Sequence, residues 1–153
     1  MIRTQQRLGM GRVYREAIAL AVARGDRSVG TEHLALALLV DPESVTARAL
    51  GVSLTTAQEA LEALDRQALA WVGIDAAFPA PVPVPRRQRR LRLTPAAFAV
   101  FTTLRKHSGA ERLGVQHVLF ALLARQRPDP AAELFDALGV DRAEVRRRLR
   151  ETS

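Results

Sequence analysis

A ten-residue stretch, Gly30-Thr31-Glu32-His33-Leu34-Ala35-Leu36-Ala37-Leu38-Leu39, returns 84 residues later as Gly114-Val115-Gln116-His117-Val118-Leu119-Phe120-Ala121-Leu122-Leu123. Five of the ten residues are identical: the leading Gly, the His and the closing Ala-Leu-Leu. Beyond the His both copies are apolar at almost every position, which predicts a buried central helix in each. Each opens at a Gly, where a helix start leaves backbone N–H groups unpaired. A helix core that recurs in one frame predicts two copies of one helical unit packed together.

A second echo supports the duplication. Ala49-Leu50-Gly51-Val52-Ser53 reappears as Ala137-Leu138-Gly139-Val140-Asp141. Gly in this frame suits the residue after a helix, and Ser or Asp two positions on suits the cap of the next. The offset here is 88, so the second copy carries four extra residues, within Arg125-Gln126-Arg127-Pro128-Asp129-Pro130.

At these residues the chain resembles the N-terminal domain of the Clp unfoldase ATPases of the ClpC and ClpA type. That domain is a tandem repeat of four helices, each repeat with a Gly-Thr-Glu-His core and a Leu-Gly junction. The first copy fits without gaps, and Met10, Val13, Tyr14, Ala17, Ile18 and Ala21 fit the family's first helix. The second copy is looser. The resemblance implies an all-α fold of two pseudo-symmetric four-helix repeats, here residues 1–73 and 94–153 joined by a linker over 74–93 in one compact domain.

Composition agrees with a helical, soluble chain. Aromatics are 5% of the 153 residues, so Leu, Ala and Val must fill the core. There is no Cys, which excludes a disulfide framework and a thiolate metal site. No apolar run approaches the ~18 residues of a membrane span, and no signal peptide is evident, so a cytoplasmic location is expected. The net charge of +7 comes from 22 Arg and one Lys against 16 acidic residues. Such a balance could attract nucleic acid, acidic protein or anionic lipid without choosing among them.

In order along the chain, apolar spacing predicts a first helix over about residues 3–24. A second runs from about Thr31 to Val40. Asp41-Pro42 reads as a cap and first-turn proline for a short third helix ending at Gly51. The fourth starts at Ser53, carries Leu54, Ala57, Leu61, Leu64 and Ala68 on one face, and fades near Trp71 to Gly73. Pro79, Pro81, Pro83 and Pro85 alternate in an extended, polyproline-like linker. Thr94-Pro95 opens the second unit, with helices near 94–107, 115–125, 129–138 and 141–151, and Asp141 with Glu144 forms a capping-box pair.

No Gly-x-x-x-x-Gly-Lys-Ser/Thr is present, and the only lysine is Lys106 in Arg105-Lys106-His107-Ser108. The 153 residues therefore carry no ATP-driven motor, and the expectation is an N-terminal domain standing alone. Catalytic constellations are missing, so an enzyme is not expected, nor a cofactor. His33 and His117 are expected to pack at helix starts and bond backbone groups, since a metal needs two or three ligands in reach and neither has neighbours of that kind.

The start of the second helix is the candidate ligand site. A hydroxyl, free N–H groups and a carboxylate suit a ligand bearing an anion and a guanidinium together. In the resembled family these Thr-Glu positions recognise phosphoarginine, which carries over to Thr31 and Glu32. Val115 and Gln116 lack the hydroxyl and the charge, so the second copy is expected to be degenerate. The family's groove between repeats takes substrates, adaptors and cyclic peptides. At positions where members carry aromatics, this chain has Ile2 and Leu93. The resemblance implies a non-enzymatic protein-binding domain whose partners are Clp subunits or their substrates, among them arginine-phosphorylated proteins or cyclic peptides. It would act as accessory, adaptor or decoy. The alternative is a nucleic-acid-binding protein using Arg86, Arg87, Arg89, Arg90 and Arg92 with Arg146, Arg147, Arg148 and Arg150 of the last helix. No aromatic is interleaved there to stack bases.

Overall fold

Helix ends in this protein are set mostly by short polar side chains placed where backbone N–H groups need acceptors. The computed structural model describes residues 2–73, 91–107 and 114–152. Among them are α1 (Ile2–Arg24), β1 (Ser28–Val29), α2 (Thr31–Ala37), α3 (Val45–Leu50), α4 (Leu54–Trp71), β2 (Arg92–Leu93), α5 (Pro95–His107), α6 (Val115–Leu123), α7 (Pro130–Ala137) and α8 (Arg142–Glu151). Ser53 accepts from the Thr56 N–H to start α4, Thr94 from Ala97 to start α5, and Asp141 from Glu144 to start α8. At α8 only half of the expected capping box forms, because the Glu144 carboxylate turns to Arg147 instead. Gly51 ends α3 at φ 69°, a left-handed conformation that disfavours any residue with a Cβ.

The third helix starts later than the sequence predicts. Asp41 accepts from the Glu43 N–H in a tight turn, and Ser44 caps α3 by accepting from Ala47. Pro42 therefore lies in a turn before the helix. The fourth helix holds its predicted face only in its first half. Ala57 and Leu61 are buried, Leu64 is half-buried, and every residue from Asp65 onward is exposed. Ala68 and Trp71 thus project beyond the core.

The fold is all-α, and one hydrophobic cluster draws side chains from every helix. α2 packs against α1, α4, α5, α6 and α7 and is almost wholly inside. Burying Leu34, Leu36, Leu38 and Leu39 contributes about 2 kcal/mol each before ordering costs. Helices from the two ends of the chain interleave: α1 meets α6, α3 meets α8, and α4 meets α7. The end of the expected linker has regular structure. Arg92 and Leu93 pair in parallel with Ser28 and Val29, and the Thr94 N–H continues the ladder to the Val29 carbonyl at 2.9 Å. This two-residue pairing has no alternation for a sequence reading to detect. Among the described residues, no helix is long and apolar enough to cross a membrane.

Candidate functional site at the start of the second helix

Gly30 precedes α2 in extended backbone, φ −100°, which any residue can adopt. Glu32 folds back over it, so a larger residue there would require that flexible carboxylate to shift. A Cβ at Gly30 would run into the Glu32 carboxylate, and one at Gly114 would run into the Gln116 amide. The second residue of each helix thus curls toward its own N-terminus, where free N–H groups favour oxygen atoms. The third residue does the same work from the other side. The Gly30 N–H donates to His33 Nδ1 at 2.9 Å, and the Gly114 N–H to His117 Nδ1 at 2.9 Å. Both histidines thus satisfy a backbone donor, as their position in the repeated stretch leads one to expect.

Around His33 the first copy adds charge. His33 is 2% exposed. Its Nε2 lies 2.7 Å from Asp26 Oδ2, and its Nδ1 lies 3.0 Å from Glu32 Oε1. Asp26 Oδ2 also accepts from Arg24 Nε at 3.0 Å, and Arg24 reaches on to Asp65 of α4. Burial opposes charging of the imidazole, but hydrogen bonds to Glu32 and Asp26 and their negative charge carry the His33 pKa above its ordinary value. Glu32 Oε2 is buried and has no hydrogen-bond partner among the described residues.

Thr31 faces the opposite way. It is fully buried, and its hydroxyl donates to Asp129 Oδ1 at 2.8 Å while accepting the Ala131 N–H at 3.2 Å. Asp129 also caps α7 through the Ala131 N–H and binds Arg125 Nε at 3.0 Å. Thr31 therefore joins the starts of α2 and α7, and of the candidate pair only Glu32 reaches the surface. The Thr31–Asp129 contact is one that the sequence does not announce. A partner 98 positions away leaves no local signal. In the second copy Val115, Gln116 and His117 are all half-buried, so α6 is less enclosed at its start than the repeated pattern predicts.

The remaining candidates lie elsewhere. Leu93 lines a shallow, open depression with Tyr14, Leu91, Arg92, Pro95 and Phe98. Tyr14 packs edge-on against Phe101, and Phe98 is 61% exposed. Ile2 begins α1, and its side chain lies outside the described residues, as do Arg86, Arg87, Arg89 and Arg90. Arg92 is exposed on β2. Two arginines of α8 reach backbone carbonyls of other helices, and a third pairs along its own helix. Arg148 donates to the Ala49 carbonyl at the end of α3, Arg146 to the Leu123 carbonyl at the end of α6, and Arg147 pairs with Glu144 and Glu151. A cation at a helix C-terminus complements the dipole there, so Arg146 and Arg148 contribute to packing, while Arg147, Arg148 and Arg150 remain exposed. No group of three or more potential metal-ligating side chains occurs among the described residues.

Among known families, the Clp repeat (R) N-terminal domain matches the chain over residues 10–127. No curated protein matches the chain.

Proposed function

We propose, from the premise that the chain belongs to the Clp repeat (R) N-terminal domain family, that it is a protein- or peptide-binding module of a Clp system that uses Glu32 to hold a guanidinium group of its ligand. The observation that carries this reading is the Glu32 carboxylate at the start of a buried helix: the side chain is 16% exposed, Oε1 lies against His33, and Oε2 is buried without a partner, so a guanidinium would reach it once the side chain turns outward. A buried acceptor without a donor costs on the order of 1–3 kcal/mol, which a planar N–H donor pair from a ligand would recover. The ligand class is an arginine-phosphorylated protein, whose guanidinium meets Glu32. Thr31 supports the site by fixing α2 against α7. Gln116, without charge, makes the second copy silent. The depression around Leu93 and Phe98 supplies an apolar contact for the rest of a bound peptide.

Because the 153 residues hold no phosphate loop, they deliver or withhold a substrate and do not unfold it. Delivery is the role of an adaptor, and withholding that of a decoy. Co-purification with Clp subunits supports the former; ligand binding without them supports the latter.

Calorimetric titration of phosphoarginine, with free arginine as control, tests the site. We expect about one equivalent bound by the wild type and loss of binding in Glu32→Ala. Binding retained by the variant would remove Glu32 from the site.

A further inference from the structure

We infer that His33 is a proton-operated gate on the Glu32 carboxylate: the charged imidazolium ties Glu32 to the protein, and the neutral imidazole leaves it free for a cationic ligand. The inference rests on the reading of Glu32 as the ligand-contacting group, and it adds a means of regulating that site.

The geometry at Nδ1 requires two states. This nitrogen lies 2.9 Å from the Gly30 nitrogen and 3.0 Å from Glu32 Oε1. The Gly30 N–H needs a bare lone pair, while Glu32 needs an N–H, and one ring nitrogen offers one or the other. In the neutral ring, Nε2–H donates to Asp26 and Nδ1 accepts from Gly30. The Nδ1 lone pair then opposes Glu32 Oε1, and the carboxylate keeps its full charge. In the charged ring both N–H groups donate to carboxylates, Asp26 on one side and Glu32 on the other. Gly30 then loses its acceptor, and the charge on Glu32 is compensated from within.

The surrounding charges favour this division. Asp26, in the turn between α1 and β1, is held by Arg24, which also pairs with Asp65 of α4. Asp26 is therefore held by a second partner, whereas Glu32 has His33 alone on Oε1 and a buried Oε2 without a partner, so nothing else ties its carboxylate in place among the described residues. From α7, Asp129 is committed to Thr31, Arg125 and its own helix start. Against the opposing effect of burial, hydrogen bonds and charge from Glu32 and Asp26 move the transition above the ordinary histidine value. The device belongs to one copy. Gln116 stands where Glu32 does, and Ala110 stands four residues before Gly114, where Asp26 stands four before Gly30.

The direct test follows the His33 ring and the Gly30 amide by NMR from about pH 5 to about pH 9, in the wild type and in Glu32→Gln. That substitution reproduces the side chain the second copy already tolerates. The Gly30 amide should shift with the His33 midpoint, and Glu32→Gln should lower that midpoint by about one pH unit. A Gly30 amide indifferent to His33, or an unchanged midpoint, overturns the gate. The second arm measures phosphoarginine affinity over the same range in the wild type and in His33→Gln, which reports the ligand's own titration. The wild type should bind up to about tenfold tighter per pH unit through the midpoint, relative to the variant. Equal profiles would remove the gate and leave Glu32 as a binding residue. No binding at any pH, with the NMR coupling present, would support the His33–Glu32 switch and remove phosphoarginine as its ligand.

Discussion

The starts of α2 and α6 are built from the same frame, yet they serve the molecule differently. Each has a glycine covered by the side chain two residues on, and each has a histidine accepting the glycine N–H at 2.9 Å. At α2 the histidine is 2% exposed and sits between two carboxylates, and the preceding threonine is tied to α7. At α6 the equivalent residues are half-buried. The local frame therefore specifies a helix start, and the surroundings determine whether that start becomes a charged, buried network. Two starts share one local frame, and packing makes one of them central.

The largest expected difference between them is in the histidines. His33→Ala leaves a cavity and an unpaired Gly30 N–H and removes the part-buried contact to Asp26, and should cost about 3 kcal/mol. His117→Ala, at a more open site, should cost about 1 kcal/mol. Urea denaturation of both variants measures the gap. Equal losses would mean that the enclosure of α2 contributes nothing beyond the shared hydrogen bond.

The residues before the histidines sharpen the same comparison. Thr31→Val keeps the shape and removes the hydroxyl that bridges Asp129 and Ala131. Asp129 retains the Ala131 N–H and Arg125, so the loss should be about 1 kcal/mol, not a collapse. The converse change, Val115→Thr, adds a hydroxyl at a half-buried site and should move stability by less than about 0.5 kcal/mol. Denaturation midpoints read both, and a larger effect at Val115 would reverse the assignment of the joined helix.

These cases mark what a sequence can disclose. The helix ends were legible because Gly51, Ser53, Thr94 and Asp141 act on neighbours within three residues. The role of the histidines as backbone acceptors was legible for the same reason. The family resemblance drawn from the repeated stretch agrees with the match over residues 10–127. Asp129 meeting Thr31 was not legible, because the contact depends on how α7 lies over α2. Asp26 looked like a turn residue, which it is, and its approach to His33 depends on the fold closing around β1. The contacts of Arg146 and Arg148 were not legible either, because carbonyls at the ends of α3 and α6 are invisible in composition. Ser44 displaced Asp41 as the cap because two polar residues in one short turn competed for the same role.

Those arginines give a smaller effect, still tied to the junction between the two halves. Arg148→Ala frees the Ala49 carbonyl at the end of α3 and should cost about 0.5–1 kcal/mol. Arg147→Ala, whose partners Glu144 and Glu151 lie on its own helix at the surface, should show no measurable change. If the two variants behaved alike in thermal melts, the inward contact of Arg148 would not be stabilising.

The subtlest difference between the copies is a dependence on pH. The folded His33 pKa lies above its unfolded value near 6.5. A group raised in this way binds its proton more tightly in the folded state, so its stabilisation is fully present below the unfolded pKa. It is lost as pH rises through the folded pKa. From slightly acidic to alkaline pH, the wild type should therefore lose stability through His33. In Glu32→Gln one of the two carboxylates that raise the pKa is gone, and the slope should be shallower, while groups far from the site contribute equally to both proteins. Urea midpoints for the pair at about pH 6 and about pH 8.5 isolate the difference. The wild type should hold its advantage at the lower pH and see it shrink at the higher. An advantage that grew with pH would mean that the buried imidazole prefers to stay neutral, with burial outweighing its two carboxylates, and α2 would then differ from α6 in enclosure but not in charge.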